Sequence, residues 1–147
     1  MEKVALIFSI MSLATSISLT IWQIITTIKI NKINLQSSVC EKIFDEFLIT
    51  TIPQARKYIK FDCKGKFTGG EKINHVVVQM KKSSLYFMYN DKKFYTNLES
   101  KMTELEDYIA SLMDKEFDSI KHAEIYNKID ELIKELYRLI ENKKIKG

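Results

Sequence analysis

Residues 4–28 read VALIFSIMSLATSISLTIWQIITTI, from Val4 to Ile28, and hold no Asp, Glu, Lys or Arg. As an α-helix these 25 residues reach roughly 37 Å at about 1.5 Å each, more than the ~30 Å hydrocarbon thickness of a bilayer. The stretch is therefore long enough to cross a membrane with some tilt. Trp22 stands near the end that meets Lys29 and Lys32, where an indole ring can sit at headgroup depth with its N–H still wet. The preceding flank carries Glu2, Lys3 and the terminal amine, while Lys29, Lys32 and Lys42 lie beyond the span. The positive-inside bias places the C-terminal part of the chain in the cytoplasm, with the membrane crossed once. Residues 1–30 are thus read as a transmembrane helix with its flanks and 31–147 as a cytoplasmic domain. Two other readings compete. A signal peptide would have a shorter apolar core and a small-x-small cleavage site, of which Ala14, Ser16 and Ser18 offer a weak version. A buried helix of a soluble core usually has a shorter uncharged run.

The polar residues inside the span add information. Ser9, Ser12, Ser16, Thr20, Gln23 and Thr27 are separated by 3, 4, 4, 3 and 4 residues, which puts them along one slowly twisting face of a helix. Opposite positions, among them Ile7, Phe8, Leu13, Leu19, Ile21 and Ile25, are left to face lipid. Hydroxyls and an amide seek partners in hydrocarbon, and small residues let helix backbones approach, so the stripe is a candidate helix–helix interface and the chain a candidate homo-oligomer. In a ring of copies the same stripe would line a wetted pore, with Gln23 its most polar position and Lys29 and Lys32 at the cytoplasmic mouth. The plainer alternative is an anchor whose Ser and Thr side chains bond their own helix carbonyls.

Beyond Lys29 the pattern is helical. Leu35, Val39, Ile43 and Phe47, with Cys40, Phe44 and Leu48 beside them, form a broad apolar face. Pro53 ends that helix and suits the first turn of the next, with Thr51 as its cap and Ala55, Tyr58 and Ile59 as its packing face. DCKGKFTGG, with three of the four Gly of the chain, reads as a loop. Ile73 to Tyr89 reads as one helix, with a strand as the local alternative at Val76, Val77 and Val78. Asn90 and Asp91 end it or cap the next. Leu98, Met102, Leu105, Ile109 and Leu112 recur at 4, 3, 4 and 3 residues, and Ile129, Leu132, Ile133, Leu136, Leu139 and Ile140 form a similar stripe. The fold class expected is all-α: a transmembrane helix followed by an antiparallel helical bundle. One Pro and four Gly in 147 residues are too few for a turn-rich sandwich or barrel.

Chemistry-bearing motifs are scarce. The chain has no GxxxxGK[ST], HExxH, GxSxG or CxxC. Its two Cys and two His are too few for a disulfide framework or a Cys/His zinc site. No enzyme activity and no cofactor is expected. Cys40 and Cys63 read as structural thiols, His75 as a partly buried, hydrogen-bonded imidazole, and Glu104, Glu106 and Asp107 as a solvated helix face. Charge is uneven: residues 29–95 hold 13 Lys or Arg against 6 Asp or Glu, and residues 96–147 hold 9 against 12. The basic half, including the pairs Lys81–Lys82 and Lys92–Lys93, could attract lipid headgroups, RNA or a protein partner, or simply pair with the acidic half.

A span running into a Lys-rich helix, then IPQARKYI (Ile52–Ile59), a Gly-containing loop and two long helices, resembles in layout a bacterial group of small one-span proteins. That group includes membrane accessory proteins of type VI CRISPR antiviral systems. The resemblance implies a place in the bacterial inner membrane, a HEPN-like helical domain and assembly into a ring whose spans surround a pore, depolarising the membrane during phage infection. HEPN ribonucleases carry an Arg with a His four to six residues later; Arg56 and Arg138, the only arginines, lack such a His. Ribonuclease activity is therefore not expected. The competing expectation is a membrane-tethered adaptor that recruits a protein or RNA partner through its basic half.

Overall fold

The computed structural model describes residues 2–146, and the side chains of residues 3–144. The terminal amine and the Glu2 side chain, assigned to the outer flank from the sequence, lie outside the described residues. Contacts divide the chain into residues 1–36 and residues 37–147. Helix α1 (Glu2–Ile43) supplies the first unit and opens the second. Among the described residues, none of the most hydrophobic window of its apolar stretch is buried. A helix of that length and composition is able to span a bilayer.

The second unit is a helical bundle. A π-helical stretch, Phe44–Thr51, continues from α1 and leads into the short α2 (Ile52–Arg56). The Ile52 N–H donates to the Phe47 carbonyl, five residues back. Thr50 and Thr51 hydroxyls likewise donate to Asp45 O and Glu46 O at 2.9 and 2.5 Å. Pro53 has no N–H, and its ring would meet the carbonyl four residues earlier in a regular α-helix. The wider π turns ease that conflict, so the chain continues through the proline instead of stopping. Thr51 consequently makes no side-chain cap.

Two short strands, β1 (Lys60–Phe61) and β2 (Phe67–Thr68), pair antiparallel where a plain loop was expected. Gly69 lies just past β2 with φ +83°, and a Cβ there would collide with the Tyr58 carbonyl oxygen. Gly69→Ala is therefore expected to cost about 2 kcal/mol, from the positive φ and the collision together. Denaturant unfolding of the detergent-solubilised protein, followed by circular dichroism, measures it; an unchanged midpoint would contradict the assignment.

Residues expected to form one helix form two, α3 (Gly70–Ser83) and α4 (Leu85–Asn90), joined at Ser84. Ser84 is fully buried, and its hydroxyl donates to Lys81 O at 2.8 Å. The Val76–Val78 run is helical, not a strand, because Ile73, Val76, Val77 and Met80 share the buried face of α3. Asp91 caps α5 (Lys92–Leu112): its side chain accepts the Phe94 N–H at 3.1 Å. Helix α6 (Ser119–Lys146) returns alongside α5. Lys143 near its end meets Asp91 at the start of α5, 3.0 Å apart, and Lys101 meets Glu135 at 2.6 Å, which makes the pair antiparallel.

The core is built from the expected stripes. Leu98, Met102, Leu105, Ile109 and Leu112 are buried, as are Ile129, Leu132, Ile133, Leu136 and Ile140, while Leu139 is half-buried. Ile43, Phe47 and Leu48 join them. Leu35 and Tyr58, expected in the packing faces, are instead 53% and 59% exposed. Leu35 falls in the first unit, and Tyr58 lies beyond the end of α2.

Candidate functional site

At about 100° per residue, the six stripe positions of α1 fall within an arc of about 80°. Ser9, Ser12, Ser16, Thr20, Gln23 and Thr27 are all exposed along this arc. Ile7, Ile21 and Ile25 do lie opposite, whereas Phe8, Leu13 and Leu19 flank the stripe at about 60–80° from its centre. All six are exposed, so bare apolar surface begins directly beside the polar arc.

Hydrogen bonding separates the stripe from the other hydroxyls of the span. Thr15, Ser18 and Thr26, off the stripe, donate to the carbonyls of Met11, Ala14 and Trp22 at 2.8, 2.9 and 2.9 Å. On the stripe, Thr20 does the same to Ser16 O at 2.8 Å. Among the described residues, Ser9, Ser12, Ser16, Gln23 and Thr27 make no side-chain hydrogen bond. Local satisfaction, the mark of a simple anchor, thus covers mainly the positions off the stripe, and unspent donors and acceptors gather on it.

Lys29 and Lys32 do not continue that arc. They project about 140–160° from its centre, on the side that would meet headgroups outside any ring of helices. The position that extends the stripe is Asn34, on its centre, while Asn31, which comes 4 residues after Thr27 and 3 before Asn34, falls just outside its edge at the same angle as Leu13. The same spacing, carried past the end of the apolar run, leads to Asn34; the charges that begin at Lys29 mask the continuation.

In the second unit the basic half is partly spent on the acidic half. Arg56 donates to both Asp130 oxygens, at 2.7 and 3.3 Å, and its guanidinium lies 4.7 Å from the Tyr126 ring centre. Lys66 pairs with Asp114 at 2.9 Å, and Lys81 with Glu106 at 2.5 Å. Glu106 is therefore half-buried in an ion pair, not part of a purely solvated face. Lys82, Lys92 and Lys93 are exposed; among the described residues none of the three forms a direct ion pair, though Lys93 lies near enough to Asp91 to help hold its carboxyl below the usual range.

The nucleophile and ligand candidates are occupied or isolated. Cys40 is 2% exposed, and burial pushes its thiol up to about 11, so it stays protonated at neutral pH and is a poor nucleophile. Cys63 is an exposed free thiol. His75 is exposed on α3, not partly buried as its valine neighbours suggested: Val76 and Val77 take the inner face and turn it outward. His122 stacks on Phe61 with ring centres 3.7 Å apart, and its Nε2 lies 3.1 Å from Phe117 O. Arg138 lines an open groove of about 430 Å³ between α5 and α6 with Asn97, Ser100, Lys101 and Glu135. Lys101 is no free cation there, because the hydrogen bonds it donates to Glu135 and then Glu104 hold its ammonium well above the usual lysine range. Among the described residues no group of three or more His, Cys, Asp or Glu is placed to hold a metal ion.

No family model, curated protein or solved structure matches this chain.

Proposed function

We propose that this is a single-pass inner-membrane protein that self-associates through Ser9, Ser12, Ser16, Thr20, Gln23 and Thr27, and that the assembled stripe lines a path for ions. Its second unit lies in the cytoplasm. The observation that carries the reading is the concentration of unsatisfied polar side chains on one arc of an otherwise bare apolar helix. In a lone copy the Ser and Thr hydroxyls would have to turn back on their own helix carbonyls and the Gln23 amide would stay in hydrocarbon without a partner, whereas neighbouring copies or enclosed water would supply partners to them all. Asn34 then stands at the cytoplasmic mouth, and Lys29 and Lys32 reach outward to the headgroups. A membrane-permeability task in antiviral defence, with a HEPN-like bundle as the sensing part, is supported by the layout resemblance alone. The adaptor alternative is weakened by the commitment of Lys81 to Glu106. The copy number of the protein extracted in mild detergent tests the proposal. Several copies per particle are expected, and replacing Ser9, Ser12 and Ser16 by Leu should shift the population toward monomer. A wild-type protein that is monomeric at all concentrations would reduce the span to an anchor.

A further inference from the structure

Helix α4 is pinned from the inside and bare on the outside. Phe87 is fully buried, with its ring 5.4 Å from Tyr86 and 4.8 Å from Phe94, both edge-on. The outward positions Leu85, Met88 and Tyr89 are 46%, 39% and 81% exposed. Ser84 keeps helical angles (φ −84°, ψ −5°); its N–H donates to Met80 O at 3.0 Å, and its carbonyl accepts the Phe87 N–H at 2.9 Å. The helical register therefore carries through the joint. Val78, Lys82, Leu85 and Tyr89, spaced 4, 3 and 4 apart, fall along one line. Lys82 sits within this ridge, and Lys92 and Lys93 follow α4 in the chain, just past Asp91, where the backbone leaves the helix (φ −153°, ψ 77°). The neighbouring charges are already matched, Lys81 by Glu106 and Asp91 by Lys143. The ridge thus presents aliphatic side chains and one phenol, with the ammonium groups of Lys82 and Lys92 unmatched by a carboxylate among the described residues and that of Lys93 near Asp91, whose carboxyl it helps hold low.

We infer that this ridge docks on the anionic surface of a lipid bilayer. Aliphatic residues that can enter the acyl boundary, a Tyr for the headgroup level and lysines that reach phosphates are the elements of interfacial binding. Single-stranded nucleic acid would call for a platform of several rings, and here only Tyr89 offers an open one. A second copy of the same ridge would set lysine against lysine. The inference rests on the membrane-spanning reading of Val4–Ile28, because a span keeps the ridge at high local concentration near a leaflet.

The test uses the full-length chain carrying Cys63→Ser and Met88→Cys, so that an environment-sensitive fluorophore attaches at position 88, Cys40 being buried. The protein is reconstituted in phosphatidylcholine vesicles with or without phosphatidylglycerol, and resistance of α1 to alkaline extraction is scored in the same samples. With phosphatidylglycerol the emission should shift to the blue and quenching by neutral acrylamide should fall by roughly threefold, as lysine-dependent docking requires. Lys82→Glu, Lys92→Glu and Lys93→Glu together should restore the values seen in phosphatidylcholine alone, and the Gln versions should fall between. Equal quenching in both lipids with α1 inserted overturns the inference and leaves the span intact. Extraction of α1 overturns the spanning reading instead; vesicles added from outside then decide docking, no response to phosphatidylglycerol counting against it. Protection by single-stranded RNA but not by phosphatidylglycerol overturns it in favour of a nucleic acid. Protection that rises with protein concentration in phosphatidylcholine alone overturns it in favour of a second copy.

Discussion

Leucine at Ser16, Thr20 and Gln23 together is expected to bring ion leak through reconstituted vesicles down to the level of protein-free vesicles. The three positions occupy the middle and C-terminal half of the polar arc. An unbroken apolar lining there would form a constriction that sheds water and so closes to ions. Membrane insertion should survive, since the exchange makes the span more apolar, and alkaline extraction verifies that in the same preparation. Two companion variants use the geometry of α1. Asn34→Leu should reduce the leak, because it extends the arc, whereas Lys29→Gln with Lys32→Gln should change it little, because both project to the other side. Leak that persists undiminished in an inserted triple variant would exclude the pore. Leak that is lost only with the lysines would mean that the helix faces the path with its opposite side.

Phe87→Ala is expected to destabilise the second unit by about 4 kcal/mol, the cost of emptying a fully buried aromatic site. For a domain near a hundred residues that corresponds to a melting temperature lower by about 20 °C. The side chain is fully buried and makes two edge-on ring contacts, so removing it leaves a cavity and strips the inner support of α4. Phe87→Leu, which refills part of the space, should cost less than half as much. Near-coincident melting curves for Phe87→Ala and the wild type, followed by near-ultraviolet circular dichroism, would show that α4 is not held in this way.

Much of this architecture was legible because its signals are local. The repeat through Leu98, Met102, Leu105, Ile109 and Leu112 marks a helix face whatever it packs against, and all five residues are buried. Asp91 capping α5 was readable for the same reason: the cap and the amide it accepts are three residues apart. The polar arc of α1 needed only the helical period. Its hydrogen-bonding contrast did not come from spacing, because Ser and Thr on both sides of the helix have a carbonyl within reach and only the structure shows which of them use it. Lys29 and Lys32 were placed by distance along the chain, but their side of the helix depends on angle, and both project away from the polar arc, which is why the proposed mouth is drawn at Asn34.

What the amino-acid sequence determined by itself is the uncharged run from Val4 to Ile28, the helical class of the rest, and the residues that turn inward on α5 and α6. Each of these comes from the order of side chains over a few turns, where backbone geometry alone brings neighbours together. The tertiary structure decided how the charges and the irregular backbone are resolved. Arg56 finds Asp130 across 74 positions and Lys81 finds Glu106 across 25. The β1–β2 hairpin is tied to the α5–α6 connection through Phe67 N–H to Lys115 O and Phe117 N–H to Gly65 O. Such pairings link residues far apart in the chain, and only the closing of the core brings them within reach.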